Sequence, residues 1–138
     1  MKKQQRKMKM SHKNDFIIEY EFEYLKEYTG NDTDVEIPNT VTRIGAHAFD
    51  RCTSIKSITI PDSVTEICAY AFNNCINLES IIIPNSVELI RESAFHGCTS
   101  LKNITLPDGL KLVDRYAFEG CTSLESITIS DPILQYYL

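Results

Sequence analysis

Cysteine, histidine and acidic side chains are the groups in this chain with types suited to chemistry. There are five cysteines and three histidines. Cys52, Cys75, Cys98 and Cys121 stand 23 residues apart, and Cys68 falls outside that series. A metal site needs close ligand pairs with partners that converge on them. A spacing of 23 supplies no such pair. His96 lies two residues before Cys98, but His12 and His47 fall at other phases and cannot join it. No metal and no cofactor is expected. The sequence has no G-x-S-x-G, no G-x-x-x-x-G-K and no H-E-x-x-H, so no catalytic residue is expected and the chain is read as non-enzymatic. Cys68 is the one candidate reactive thiol. Its equivalents in the other repeats described below are Gly45, Arg91 and Asp114, a mixture that implies exposure. A redox role would need a thiolate stabilised by a neighbouring cation; Glu66 is two residues away and no cation is close in sequence.

The cysteine spacing belongs to a larger pattern. Four segments align without a gap at a period of 23: Val41 to Ser63, Val64 to Ser86, Val87 to Gly109 and Leu110 to Pro132. Phe49, Phe72, Phe95 and Phe118 share one phase, and Ala48, Ala71, Ala94 and Ala117 share another. Such a period marks a solenoid, in which one unit cannot enclose its own apolar groups and stacking buries them. In the second repeat Leu78, Ile81 and Ile83 read as the inward side of a strand that Pro84 ends. Each strand should pair in parallel with its equivalent in the next coil. Val64 and Ile67 should point inward on the return path, and Ala71-Phe72 reads as a short helical turn. The cysteine column is expected to be buried and reduced, as free cysteine usually is. Adjacent coils bring column mates within reach of a disulfide, but stacked side chains point the same way and disfavour its torsion.

The shared pattern, V-x-x-I-x-x-x-A-F-x-x-C-x-x-L-x-x-I-x-I-P, resembles that of the BspA-like (Treponema-type) leucine-rich-repeat family. The resemblance covers residues 28–130, and the stretch from Tyr28 to Pro38 is similar to that family's opening motif. It implies an α/β repeat solenoid, a leucine-rich-repeat coil stack with parallel β-strands and short helical turns. It also implies protein-binding or surface-adhesion roles, which are those of larger, exported members.

The organisation follows. Residues 1–15 form a basic leader, with six Lys or Arg against Asp15, read as solvated and disordered. Residues 16–40 form the N-terminal cap and first rung. In the cap Ile18, Tyr20, Phe22 and Tyr24 alternate with Glu19, Glu21 and Glu23, which suggests one strand with an acidic wet face. Residues 41–132 are the four repeats, and 133–138 an apolar C-terminal tail. Removing the leader's six basic and one acidic residue from the totals of 14 and 19 leaves 8 and 18, a net of −10. A body that acidic is a poor match for a phosphate backbone, so no nucleic-acid partner is expected. No apolar run approaches the length of a membrane span, and no apolar stretch follows the basic start as a secretory signal requires. The expected placement is cytoplasmic, with the cell surface or secretion as the alternative if a leader was removed.

Outward strand positions form the columns Lys56, Glu79, Lys102, Glu125 and Thr59, Ile82, Thr105, Thr128. The first reads as a ladder of alternating charge. Better anchors for a partner lie on the loop side. Leu89 and Leu112 share a column with Arg43 and Glu66, while Tyr70 and Tyr116 share one with His47 and Ser93. Leu89, Leu112, Tyr70 and Tyr116 are therefore the candidate interaction surface; scattered surface apolars are the plainer reading. The function expected is a non-catalytic protein-interaction or scaffolding module. The alternatives are an adhesion fragment of a larger protein and a thiol-based redox protein using Cys68. The partner is an unidentified protein. The tail, with Ile133, Leu134, Tyr136, Tyr137 and Leu138, should either fold back over Phe118 and Leu124 or associate two chains end to end.

Overall fold

The computed structural model describes residues 15–128. The leader up to residue 14 and the tail lie outside the described residues, and with the tail goes the choice between folding back and association. β1 (Phe16–Glu19) and β2 (Tyr24–Tyr28) form an antiparallel hairpin. Each coil then contributes one strand of three residues and one of two. The longer ones are β3 (Asp34–Glu36), β5 (Ser57–Thr59), β7 (Ser80–Ile82), β9 (Asn103–Thr105) and β11 (Ser126–Thr128), stacked in that order. The shorter ones are β4 (Arg43–Ile44), β6 (Glu66–Ile67), β8 (Leu89–Ile90) and β10 (Leu112–Val113), which continue from the hairpin as a second sheet. Beyond the hairpin register advances by one period: Ile58 lies opposite Ile81, and Ile67 opposite Ile90.

The return path is thus itself a parallel ladder. Its inward residues Ile44, Ile67, Ile90 and Val113 are all buried, as are Val64 and Val87. Between the sheets the chain reverses at the prolines. The carbonyls of Pro38, Pro61, Pro84 and Pro107 accept hydrogen bonds from the amides of Val41, Val64, Val87 and Leu110 at 3.1–3.2 Å. A proline that ends the strand thereby also anchors the turn that follows it.

The third side of each coil corrects an expectation: Ala71-Phe72 lies in successive tight turns, and no α-helix occurs among the described residues. The cause is backbone conformation. His47, Tyr70, Ser93 and Tyr116 have φ of 55–62°, and four residues on Arg51, Asn74, Gly97 and Gly120 are again positive. Left-handed residues bracket the segment and redirect its donors. Amides that a helix would satisfy within the chain instead reach the next coil: Phe49 to the Ala71 carbonyl at 2.7 Å, Phe72 to Ala94 and Phe95 to Ala117 both at 2.8 Å. Gly97 is required where it stands, because a Cβ would collide with the Asn74 side chain.

These turns hold the phenylalanines in one file. Ring centroids are 5.0 Å apart from Phe49 to Phe72, 5.1 Å from Phe72 to Phe95 and 5.4 Å from Phe95 to Phe118, with planes within 10° of parallel. The cap extends the file, since Tyr28 lies 5.2 Å from Phe49 and Phe16 lies 5.2 Å from Tyr28.

The cap also departs from the single strand expected. Residues 20–23 are a turn, and the chain doubles back. Folding back sets Phe16 opposite Tyr28 and Ile18 opposite Leu25, so both arms cover the first coil. A straight strand of that length would overrun it. The column from Lys56 to Glu125 is stacked and exposed, but among the described residues its charges close no ion pair. Ion pairs occur instead along the other sheet and at its strand ends, Arg91 Nε to Glu66 Oε2 at 2.6 Å and Lys111 Nζ to Glu88 Oε1 at 3.6 Å.

Phe95 is fully buried between two rings. Replacing it with alanine should cost about 3–5 kcal/mol in denaturant-unfolding stability. A cost below about 1 kcal/mol would place that column outside the core.

Candidate interaction surfaces and the thiol column

The cysteine column sits immediately beyond the phenylalanine turn. Cys75 and Cys98 are buried, and Cys52 and Cys121 are half-buried; all are free thiols. They do more than fill space. Cys52 in the first coil turns to the Asp50 carbonyl at 3.9 Å. The other three donate Sγ–H to the carbonyl of the phenylalanine one coil earlier: Cys75 to Phe49 at 3.1 Å, Cys98 to Phe72 at 3.2 Å and Cys121 to Phe95 at 3.1 Å. Those carbonyls close a turn and then accept a thiol, which makes a small buried donor the fitting residue there. The hydrogen bond to Cys98 and burial both push the Cys121 thiol far up. At Cys98 the bond to Cys121 pulls down, while the bond to Cys75 and burial outweigh it, and the net shift is upward. Burial, then Asp50, pushes Cys52 up to about 11.

Cys68 requires a correction. It is half-buried rather than exposed. Burial first, then Glu66, pushes its thiol up to about 11, although Arg43 and Arg91 pull the other way. The variability of its column misled: Gly45 is there because a Cβ would strike the Leu25 carbonyl and the Tyr24 ring of the cap, which is a packing demand. A thiol raised this far is not the activated thiolate that redox chemistry needs. Among the described residues no three His, Cys, Asp or Glu side chains are grouped to hold a metal, and no helix is long and apolar enough to cross a membrane.

The four candidate surface residues divide. Leu89 and Leu112 are registered neighbours on the outward side of β8 and β10, each half-buried. Tyr116, four residues beyond Leu112, is 52% exposed. Tyr70 is half-buried, its ring stacked at 5.0 Å on His47. Leu89, Leu112 and Tyr116 thus fall on the third and fourth coils, with Tyr70 a coil or more away.

One polar column went unnoticed in the sequence. The residue after each core phenylalanine is Asp50, Asn73, His96 or Glu119. Asn73 Nδ2 donates to Asp50 Oδ1 at 2.8 Å, its Oδ1 meets His96 Nδ1 at 3.0 Å, and His96 Nε2 lies 3.7 Å from Glu119 Oε1. The ladder crosses four coils and explains how Asn73 is buried. The signal was available, since every member of the column can hydrogen-bond. An open depression between cap and first coil is lined by Lys26, Glu27, His47 and Asp50 among others, and His47 already pairs with Asp50 at 3.6 Å.

The raised thiols set a pH dependence. A thiol with a raised folded pKa keeps its proton in the fold where the unfolded chain has lost it. Its stabilising effect is complete below the ordinary thiol value near 9 and is lost as pH rises towards 11. Urea midpoints should therefore fall from pH 8.5 to 10.5, and the Cys52→Ala/Cys68→Ala double variant should fall less steeply. Equal slopes for the two proteins would contradict the assignment.

Comparison with known proteins agrees with the geometry. The BspA type Leucine rich repeat region matches in six copies over residues 8–137. A leucine-rich repeat protein from Bacteroides capillosus superposes with a TM-score of 0.74 at 28% identity, covering 84% of this chain and 93% of that one. The pneumococcal vaccine antigen PcpA gives 0.77 at 29% identity, over 83% of this chain and 29% of its own length. A leucine rich cell surface protein from Faecalibacterium prausnitzii gives 0.60 at 31% identity, over 83% and 37%. No curated protein matches. With a 23-residue period, a phenylalanine file, a thiol column and a family match that spans nearly all of its length, the chain belongs to the BspA-type leucine-rich repeat family.

Proposed function

We propose that this chain is a non-catalytic protein-interaction module whose contact surface is centred on Leu89, Leu112 and Tyr116. One observation carries the reading: Leu89 and Leu112 stand side by side on the outward face of the second sheet, at positions where the first two coils carry Arg43 and Glu66. The scaffold needs no apolar residue there, as the charged equivalents demonstrate. Tyr116 adds an exposed aromatic on the same coil as Leu112, and tyrosine is among the residues most used as an interface anchor. The chemistry-bearing side chains support the same reading. Cys52, Cys68, Cys98 and Cys121 are raised in pKa, and Cys75, Cys98 and Cys121 donate to carbonyls. Among the described residues His47 and His96 are spent on a ring stack and a polar ladder. Solenoids of this kind present variable outer columns on a constant core.

A second reading is a surface-adhesion role within a longer protein. It is favoured by the likeness to the F. prausnitzii cell surface protein, of whose length this chain spans 37%.

The test is affinity capture from the native organism with the wild-type chain and a Leu89→Ser/Leu112→Ser/Tyr116→Ser variant, followed by titration of the captured protein. Binding should weaken at least tenfold, equivalent to about 1.4 kcal/mol, with the melting temperature of the module little changed. A captured partner that binds both chains equally would contradict this surface. Fractionation of intact cells separates the cytoplasmic from the surface reading.

A further inference from the structure

Six large apolar side chains are exposed among the described residues. Ile76 and Ile82 each interrupt a column of threonines singly, and Tyr116 belongs to the surface assigned above. The other three, Ile17, Tyr20 and Phe22, fall within six residues of one another on the cap hairpin. Tyr20 and Phe22 sit in its turn, 67% and 58% exposed, and Glu19, Glu21 and Glu23 alternate with them, all exposed.

The turn is built to hold that arrangement. Phe22 N–H donates to the Glu19 carbonyl at 3.1 Å and Glu23 N–H to Tyr20 at 3.4 Å. Glu23 has φ of 53°, a conformation disfavoured for a residue with a Cβ. Its carbonyl is clamped to the first coil, accepting from the Thr42 amide at 2.8 Å, the Arg43 amide at 3.4 Å and Thr42 Oγ1 at 3.4 Å. The capping of the core falls to Phe16, Leu25 and Tyr28, which are buried. Tyr20 and Phe22 stay mostly exposed outside that cover, on a turn whose backbone the first coil holds.

We propose that the hairpin tip, residues 19–23, is a docking knuckle for a partner polypeptide that offers an apolar pocket rimmed by lysine or arginine. Two aromatic anchors on a preformed turn lose little freedom on binding. Charge selects the partner. Seating the rings brings Glu19, Glu21 and Glu23 to the rim. Among the described residues Lys26 stands beside Glu27, and Arg43, whose guanidinium lies 5.2 Å over the Tyr24 ring, can offset one of the three carboxylates, so the tip stays acidic. A neutral or acidic rim would strip water from three carboxylates without repayment in contacts. A basic rim pairs them, and its cations can also rest on the ring faces. The knuckle is at the cap end of the stack, while Leu89, Leu112 and Tyr116 are on the third and fourth coils. It is therefore a second surface, independent of the first.

The probe is a random twelve-residue peptide library on phage, panned against the full chain and against its Tyr20→Ser/Phe22→Ser variant. Both side chains are exposed, so the variant should keep the parent's melting temperature; a Tyr20→Leu/Phe22→Leu variant serves if it does not. Sequences enriched on the parent should combine lysine or arginine with leucine or an aromatic. A synthetic peptide from that set should bind the variant at least tenfold more weakly and lose affinity with added salt. Glu19→Lys/Glu21→Lys/Glu23→Lys should abolish its binding. Enriched peptides without net positive charge, or with equal affinity for the variant, would overturn the proposal. Two other results would reassign the knuckle and also overturn it. One is a tenfold gain in affinity on deleting residues 1–14, which makes the chain's own basic leader the occupant. The other is a dimer in sedimentation that the variant abolishes, which makes it a second copy. Loss of this surface would leave the Leu89–Leu112–Tyr116 surface standing, because that test uses other residues and another probe.

Discussion

Every coil depends on its neighbour at one spacing for both its apolar groups and its backbone donors. The near-parallel phenylalanine rings express this constraint most directly. A centroid separation of 5.0–5.4 Å from Phe49 to Phe118 is one strand spacing plus a small offset. The two ladders and the ring file must therefore advance at the same rate. Residues that keep this rate are repeated, and those that do not affect it vary. The alanine before each phenylalanine keeps the turn small, and from the second coil on the cysteine after it donates into the previous turn.

A stack of this kind has two ends. The N-terminal end is closed by the hairpin, whose Phe16 and Tyr28 carry the aromatic file two rings further. Gly45 yields its Cβ to let Tyr24 and Leu25 settle against the first coil. On the fourth coil Phe118, Cys121, Leu124 and Ile127 are only partly buried, while their equivalents Phe95, Cys98, Leu101 and Ile104 are at most 2% exposed. The gradient follows from neighbour number: an inner coil is covered from both sides, and the last described one is not.

The interior was legible because each inward column uses nearly one residue type, so period and phase survive in a single chain. The phenylalanine and alanine columns and the first strand ladder were all readable in that way. The second sheet was not, because a two-residue strand such as Leu89–Ile90 is too short to show alternation. The expected helical turn failed for a related reason. Left-handed backbone at His47, Tyr70 and Tyr116 leaves no trace when the residue is not glycine; only Gly97 and Gly120, four residues on, hint at it. The hairpin was read as one strand since Glu-Tyr-Glu-Phe-Glu alternates perfectly and holds no glycine, proline or asparagine to mark a turn. For the surface, column comparison found Leu89 and Leu112. It overestimated the exposure of Cys68, because the cap and not solvent had chosen Gly45.

The central claim is that stability resides in coil-to-coil contacts and is greatest where a coil has neighbours on both sides. Native-state amide hydrogen exchange tests it directly. The amides of Phe72 and Phe95, which bond to the next coil, and those of Ile81 and Ile90 in the two ladders should be the slowest, exchanging only with global unfolding. Protection should decline towards Glu125 and the strand that follows it. Uniform protection from the first coil to the last, or amides at Phe72 and Phe95 that exchange as fast as those of the exposed hairpin turn, would contradict the account.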